Sequence, residues 1–184
     1  MVGKAISRIV EKETIFSHTP RRMLALRDCP EIKMAGLTVG PYKKGELFEI
    51  EYSIGGILER DGIAKFDEEF IDPQAILKIH WKESVQKAEQ LSTLPPNFYP
   101  LLRHTLDRLR RGGEKNAERL MEYQRIVEFS KDIVNCRLRK IIRLAAVSVP
   151  EKALESLTPE EKALYDELRP IIRGWKSTIL GVER

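Results

Sequence analysis

The side chains of this 184-residue chain that could do chemistry are few, and their spacing matches no catalytic pattern. There is no glycine-rich phosphate loop, no His-Glu-x-x-His helix, no nucleophile elbow and no Cys-x-x-Cys pair. Acidic pairs occur at residues 68–69 and 160–161, but both lie at the edges of predicted elements, where caps and solvated charge are the usual roles. The sequence therefore predicts that this protein is not an enzyme.

Metal, disulfide and cofactor chemistry is not predicted either. Cys29 and Cys136 are the two cysteines, far apart in segments of different character, and the three histidines lack ligand spacing. Cys136 has basic neighbours, which favour thiol reactivity, but a small residue packed in a helix is the favoured interpretation. No metal site and no cofactor is expected.

Positive charge is concentrated between Arg103 and Arg143, where 12 Lys/Arg residues accompany six Asp/Glu residues. Two interpretations remain open. The stretch is either a solvated helix face with opposite charges three or four apart, or a surface that contacts DNA or an acidic partner. The candidate contact residues are Arg110, Arg111, Arg137, Arg139, Lys140 and Arg143.

Two parts of the chain must position these residues, and the first is a small β-containing domain at residues 23–70. Residues 46–52 alternate apolar Phe48, Ile50 and Tyr52 with glutamates, which is the period of a strand. Residues 1–22 are weakly patterned and are predicted to be an N-terminal tail, disordered or with a turn or two of helix. A module this small holds little core, so it is expected to dock on the rest of the chain or on a partner.

The second part of the chain is predicted to be a helical bundle over residues 71–184. Asp72-Pro73 and the segment 158–161, Thr-Pro-Glu-Glu, are helix starts, and Pro95-Pro96 is a break. The longest predicted helix covers residues 114–147 and would be about 50 Å long at 1.5 Å per residue. A single small domain cannot bury the apolar face of so long a helix along its whole length. The predicted fold is thus mainly α, with a small β-containing domain first and then a helical bundle with one long helix.

Aromatic and aliphatic side chains on these helices are candidates for contact with another chain. Aromatic residues are favoured anchors at protein interfaces, and helices near the end of a chain often dock on partners. Each of these residues could also be core within the chain. The candidates are Phe98, Tyr99, Tyr123, Val127, Val134, Tyr165 and Trp175.

From about residue 23 to its end, the chain resembles a GINS subunit, a replication factor that accompanies the replicative helicase. Domain order is similar to the archaeal subunit type related to the second and third eukaryotic Psf proteins, in which the small β-domain comes first. The resemblance rests on residues 40–45 (Gly-Pro-Tyr-Lys-Lys-Gly), 53–58, 62–64, 72–73, 94–99 (Leu-Pro-Pro-Asn-Phe-Tyr) and 157–161, with Trp175 downstream. No single one of these segments is specific to the family, but their order and spacing together are.

This resemblance implies a non-catalytic scaffold of the GINS complex. The implied partners are the other GINS subunit type, in a 2:2 heterotetramer, the MCM helicase, a RecJ-like nuclease, and primase or DNA polymerase. The alternative function is a helical DNA-binding regulator that uses residues 103–143. No secretory signal and no run of 18 apolar residues is found, so the expected location is the cytoplasm, at the nucleoid, without membrane contact.

Overall fold

A computed structural model describes residues 3–34, 37–67, 70–86, 90–114, 116–147 and 149–181. The chain divides into two compact units, one of residues 13–69 and one of residues 1–12 and 70–184. The structure confirms the predicted fold class, which is mainly helical with a small antiparallel sheet near the N-terminus and a helical bundle after it.

The small unit is built on a three-stranded antiparallel sheet of order β4-β1-β5, with β1 at Pro20–Ala25, β4 at Leu47–Glu51 and β5 at Ala64–Phe66. Strand β1 pairs with β4 from Pro20 opposite Glu51 to Leu24 opposite Leu47. Strands β2 (Ile32–Met34) and β3 (Leu37–Val39) form a separate antiparallel pair. Helix α2 (Tyr52–Arg60) follows β4 directly and is the only helix that lies wholly within the described part of this unit.

Helix α2 packs closely on the sheet because of one glycine. A Cβ atom at Gly55 would lie 2.7 Å from the Sδ atom of Met23 and 2.9 Å from the ring of Phe66. Met23 and Phe66 are buried, and so is Leu58 of α2. A side chain at residue 55 would therefore push the helix off the sheet.

The N-terminal region differs from the predicted tail. Helix α1 spans Gly3–His18, and strand β1 begins at Pro20. Ala5 and Phe16 are buried, and the Phe16 ring packs 4.7 Å from that of Tyr52. Tertiary packing of this kind stabilises a helix whose sequence pattern is weak.

The helical unit contains four main helices, α3 (Pro73–Val85), α4 (Phe98–Gly113), α5 (Ala117–Ala146) and α6 (Pro159–Leu180). A short 3-10 helix, Glu151–Leu154, lies between α5 and α6. Two predicted helix starts are confirmed: the Asp72 side chain accepts from Gln74 N–H, and Thr158 and Glu161 form a reciprocal capping box. The long helix α5 is confirmed and has 30 residues; it begins three residues later and ends one residue earlier than the predicted range 114–147.

Two apolar clusters hold these helices together. One lies among α3, α4 and the first half of α5, and includes Ile76, Phe98 and Ile133. The other joins the second half of α5 to α6 through Ile141, Leu144 and Tyr165. Between them along α5 lie charged side chains that are as fully buried as the apolar ones.

Candidate subunit interface and buried charge cluster

Arg137 of α5 is completely buried, and all of its donor atoms are directed at acceptors within the helical unit. It donates five hydrogen bonds. Two go to the Glu161 carboxylate, one of them from Nη2 to Oε2 at 2.7 Å and the other from Nε to Oε1. Nη1 bonds Glu83 Oε1 at 2.6 Å and the Ser92 carbonyl at 2.9 Å, and Nη2 bonds the Ser156 carbonyl at 3.1 Å. One guanidinium thus joins α3, α5 and α6.

Lys140, one turn further along α5, completes the charge balance. Its Nζ atom lies 2.6 Å from Glu83 Oε2, and Glu83 also accepts from the backbone N–H and the hydroxyl of Ser92. Tyr99 of α4 donates its hydroxyl to Glu161 Oε1 at 2.6 Å. We call Glu83, Arg137, Lys140 and Glu161 the buried charge cluster; it contains two cations and two carboxylates.

The pKa values in the cluster follow from these contacts. Burial alone would raise the pKa of Glu83, but hydrogen bonds from Lys140 and Ser92 and the charge of Arg137 outweigh burial, and the pKa lies below its ordinary value. Burial alone would lower the pKa of Arg137, but the hydrogen bonds and charge of Glu161 raise it. Burial, together with the charge and hydrogen bond of Glu161, raises the pKa of Tyr99.

Glu161 has a second role at the start of α6. Its carboxylate accepts from the backbone N–H of Thr158 at 2.9 Å, while its own N–H donates to the Thr158 hydroxyl at 3.3 Å. The same side chain therefore caps α6 and anchors that cap to Arg137. Because the four charges are buried and paired with each other, the cluster orients helices and presents no charge to a ligand.

One face of α6 is buried near the helix start and exposed near its end. Glu161 and Tyr165 are buried on this face, and Leu168 and Ile172 pack at the edge of the core. Further along the same face the exposed fraction rises to 64% for Trp175. Residues Ile171, Trp175 and Ile179 follow one another at intervals of four, so they form one continuous surface, which we call the α6 apolar face.

Other exposed apolar side chains lie on α3 and α5. Trp81 on α3 is 68% exposed, and Val85 lies one turn after it. On α5, Val134, Leu138 and Ile142 are exposed at intervals of four, beside the face that carries the buried charge cluster. Large apolar groups grouped in this way are characteristic of surfaces that contact another protein.

The structure divides the predicted interface residues. Phe98 and Tyr165 are each only 1% exposed, so their side chains cannot reach a partner, and for these two the prediction is wrong. Tyr99 is half-buried, with its hydroxyl bonded to Glu161. Tyr123 and Val127 are half-buried, Val134 and Trp175 are exposed, and for these the interface role stays a prediction.

The predicted DNA-contact residues are also divided. Arg137 and Lys140 belong to the buried charge cluster, so for them the prediction of contact with DNA or an acidic partner is wrong. Arg110 and Arg111 both pair with Asp107, at 2.9 and 2.8 Å. Burial alone would raise the pKa of Asp107, but these arginines hold it below its ordinary value. Arg139 and Arg143 are exposed, and their contact role stays a prediction.

Comparison with known families decides what this helical unit is. A family model described as "GINS complex protein helical bundle domain", Sld5, matches residues 76–180, more than half of the chain. The chain belongs to the GINS complex proteins. A search of curated proteins finds no match to it.

The GINS match spans α3 to α6, and so contains both the buried charge cluster and the α6 apolar face. As a GINS protein, the chain is a DNA replication protein that assembles with other GINS subunits. Among the described residues, no helix is long and apolar enough to cross a membrane, and no three His, Cys, Asp or Glu side chains are grouped to hold a metal ion.

Proposed function

We propose that this GINS protein is a non-catalytic scaffold subunit. It joins the other GINS subunit type in a 2:2 heterotetramer, and the tetramer binds and activates the MCM helicase. The same tetramer links the helicase to a RecJ-like nuclease, primase or DNA polymerase. The order of the domains, with the small β-containing unit first, supports the archaeal subunit type, and the absence of catalytic motifs in the sequence supports a scaffold role.

The α6 apolar face carries this proposal. Its side chains continue the surface that packs against α5 nearer the start of α6, but Ile171, Trp175 and Ile179 are exposed. Full burial of an isoleucine side chain gains roughly 1.5–3 kcal/mol, and an interface tryptophan is a frequent hot spot. A partner helix that covers Ile171, Trp175 and Ile179 would supply the missing half of this packing.

Substitution of Trp175 tests the docking surface. Trp175→Glu should weaken binding to the other GINS subunit at least tenfold, because it places a charge in the centre of an apolar interface. Isothermal titration calorimetry measures the affinity. The control is Met121→Glu at the start of α5, where the native side chain is 69% exposed. Equal effects of Trp175→Glu and Met121→Glu on the affinity for the other GINS subunit would show that α6 is not the docking surface.

A DNA-binding regulator remains the second candidate, because Arg139 and Arg143 are exposed one turn apart on α5. The scaffold is favoured because Arg137 and Lys140 are buried and Arg110 and Arg111 share Asp107. The pair Arg139→Glu and Arg143→Glu should leave affinity for a DNA oligonucleotide within twofold. A loss of affinity that depends steeply on salt would support the regulator instead.

The link to the helicase requires a separate test. The assembled GINS tetramer should increase the rate of DNA unwinding by MCM, and the Trp175→Glu variant, which we expect not to assemble, should leave that rate unchanged. A subunit mixture that assembles normally but leaves the unwinding rate unchanged would contradict the activation of MCM. The proposed GINS assembly would not be contradicted by that result.

A further inference from the structure

A groove of about 740 Å³ lies between the end of α5 and the second half of α6. Apolar groups from both helices line it, among them Val147 on the α5 side and Pro170 and Leu180 on α6. Its volume is in the range of pockets that bind ligands or the side chains of a partner peptide.

Positive charge lines the same groove. Arg169, Arg173 and Lys176 follow at intervals of four and three, which places them in one stripe along α6. Of the eleven described residues that line the groove, none is acidic and none is aromatic. Lys176 is fixed by a 2.6 Å hydrogen bond to the Ala146 carbonyl, whereas within the described residues no carboxylate pairs with Arg169 or Arg173.

This groove is separate from the α6 apolar face. At 100° per residue, the stripe of Arg169, Arg173 and Lys176 lies roughly 130° around the helix from the row of Ile171, Trp175 and Ile179. A subunit docked on the α6 apolar face would therefore leave the cationic stripe accessible. The two surfaces can take different partners at the same time.

We propose that the groove binds a helical segment of a partner protein that carries carboxylates beside its apolar anchors. The apolar floor would bury aliphatic side chains at helix-turn spacing, and the arginines would pair with Asp or Glu on either side of them. Nucleic acid fits less well, because phosphates would leave the apolar floor without a partner and the described lining offers no aromatic side chain for base stacking. This site goes beyond the docking surface of the proposed function.

Selection from a displayed library of 16-residue helical peptides on the full chain tests the site. The expected result is enrichment of peptides that combine Asp or Glu with Leu, Ile or Phe at intervals of three and four. Synthetic copies of the enriched peptides should lose at least tenfold in affinity for the double variant Arg169→Glu/Arg173→Glu. The variant Arg169→Lys/Arg173→Lys keeps the charge and should bind within about threefold of the native chain.

The matched control is Arg139→Glu/Arg143→Glu, which reverses the same charge on exposed residues of α5 outside the groove, and it should leave the affinity within twofold. Circular dichroism checks that all variants fold, and titration with the other GINS subunit should be unchanged by the groove variants.

Enrichment of peptides without carboxylates would overturn the proposal. Equal binding by native and Arg169→Glu/Arg173→Glu proteins, or no enrichment at all, would also overturn it. A DNA oligonucleotide that displaces the peptides and binds more tightly than they do would assign the groove to nucleic acid. Self-association that is lost in the same double variant would assign it to a second copy of this chain.

Discussion

Replacement of Arg137 by methionine should lower the free energy of unfolding of the helical unit by about 3–5 kcal/mol. The substitution removes five hydrogen bonds and leaves the carboxylates of Glu83 and Glu161 with Lys140 as the one remaining cation of the buried charge cluster. The cluster would change from neutral to a net charge of −1 in a region shielded from water. The cost arises mainly from that unpaired charge, because methionine retains much of the apolar volume.

Arg139→Met is the matched control, since Arg139 lies two residues away on the same helix and is exposed. It should change the free energy of unfolding by no more than about 0.5 kcal/mol. Urea denaturation followed by far-UV circular dichroism measures both variants, because urea, unlike guanidinium chloride, does not screen charge.

A double-mutant cycle with Glu161→Gln separates the charge effect from a general packing defect. The double variant should be less destabilised than the sum of the two single changes, because glutamine removes the carboxylate that Arg137→Met leaves unpaired. Equal stability of Arg137→Met and Arg139→Met would refute the account of the cluster, and so would strict additivity in the cycle.

Three further changes test other parts of the fold. Because the pKa of Glu83 lies below its ordinary value of 4.5, its contribution to stability should be present above about pH 4.5 and lost as the pH falls through the folded pKa. Urea midpoints measured from pH 7 to pH 3 should therefore show that the stability lost in Glu83→Gln becomes smaller as the pH falls. A stability loss that stays constant over this range would contradict the prediction. Gly55→Ala should destabilise the small unit by about 1–3 kcal/mol in thermal denaturation, whereas Gly56→Ala, where a Cβ meets nothing within 4 Å, should not; equal effects would contradict the close packing of α2. Thr158→Ala should cost about 1 kcal/mol through loss of the capping box, against a negligible change for exposed Thr178→Ala in the same urea assay.

Local signals in the sequence predicted several of the elements. Strand β4 at Leu47–Glu51 lies within one residue of the alternating segment at residues 46–52. The starts of α3 after Asp72 and of α6 after Thr158 follow from caps that act within one turn.

The buried charge cluster was not predicted, because Glu83 lies 54 residues from Arg137 in the sequence, Glu161 lies 24 residues from it, and no local rule pairs residues so far apart. One signal was present. Arg137 and Lys140 occupy the same spacing as Ile133, Ile141 and Leu144, so two cations lie on the core stripe of α5. Basic residues on an apolar stripe indicate buried partners, whereas the density of charge over residues 103–143 suggested a surface.

Burial also explains the interface predictions that were wrong. The aromatic side chains of Phe98 and Tyr165 make them interface candidates, but aromatic residues are favoured both in cores and at interfaces. The position of Trp175 on a helix does not distinguish these roles either. Its exposure depends on where α6 extends beyond α5, which is a property of the tertiary packing of α5 and α6.

Light scattering coupled to size-exclusion chromatography measures directly whether this chain assembles with the other GINS subunit type. The chain would be measured alone, and then mixed with a GINS subunit of the type that places its helical domain first. A 2:2 heterotetramer should give a shift to the mass of two copies of each subunit, and that shift should be lost for Trp175→Glu but not for Met121→Glu. A native chain whose mass does not change when that subunit is added would contradict the proposed assembly.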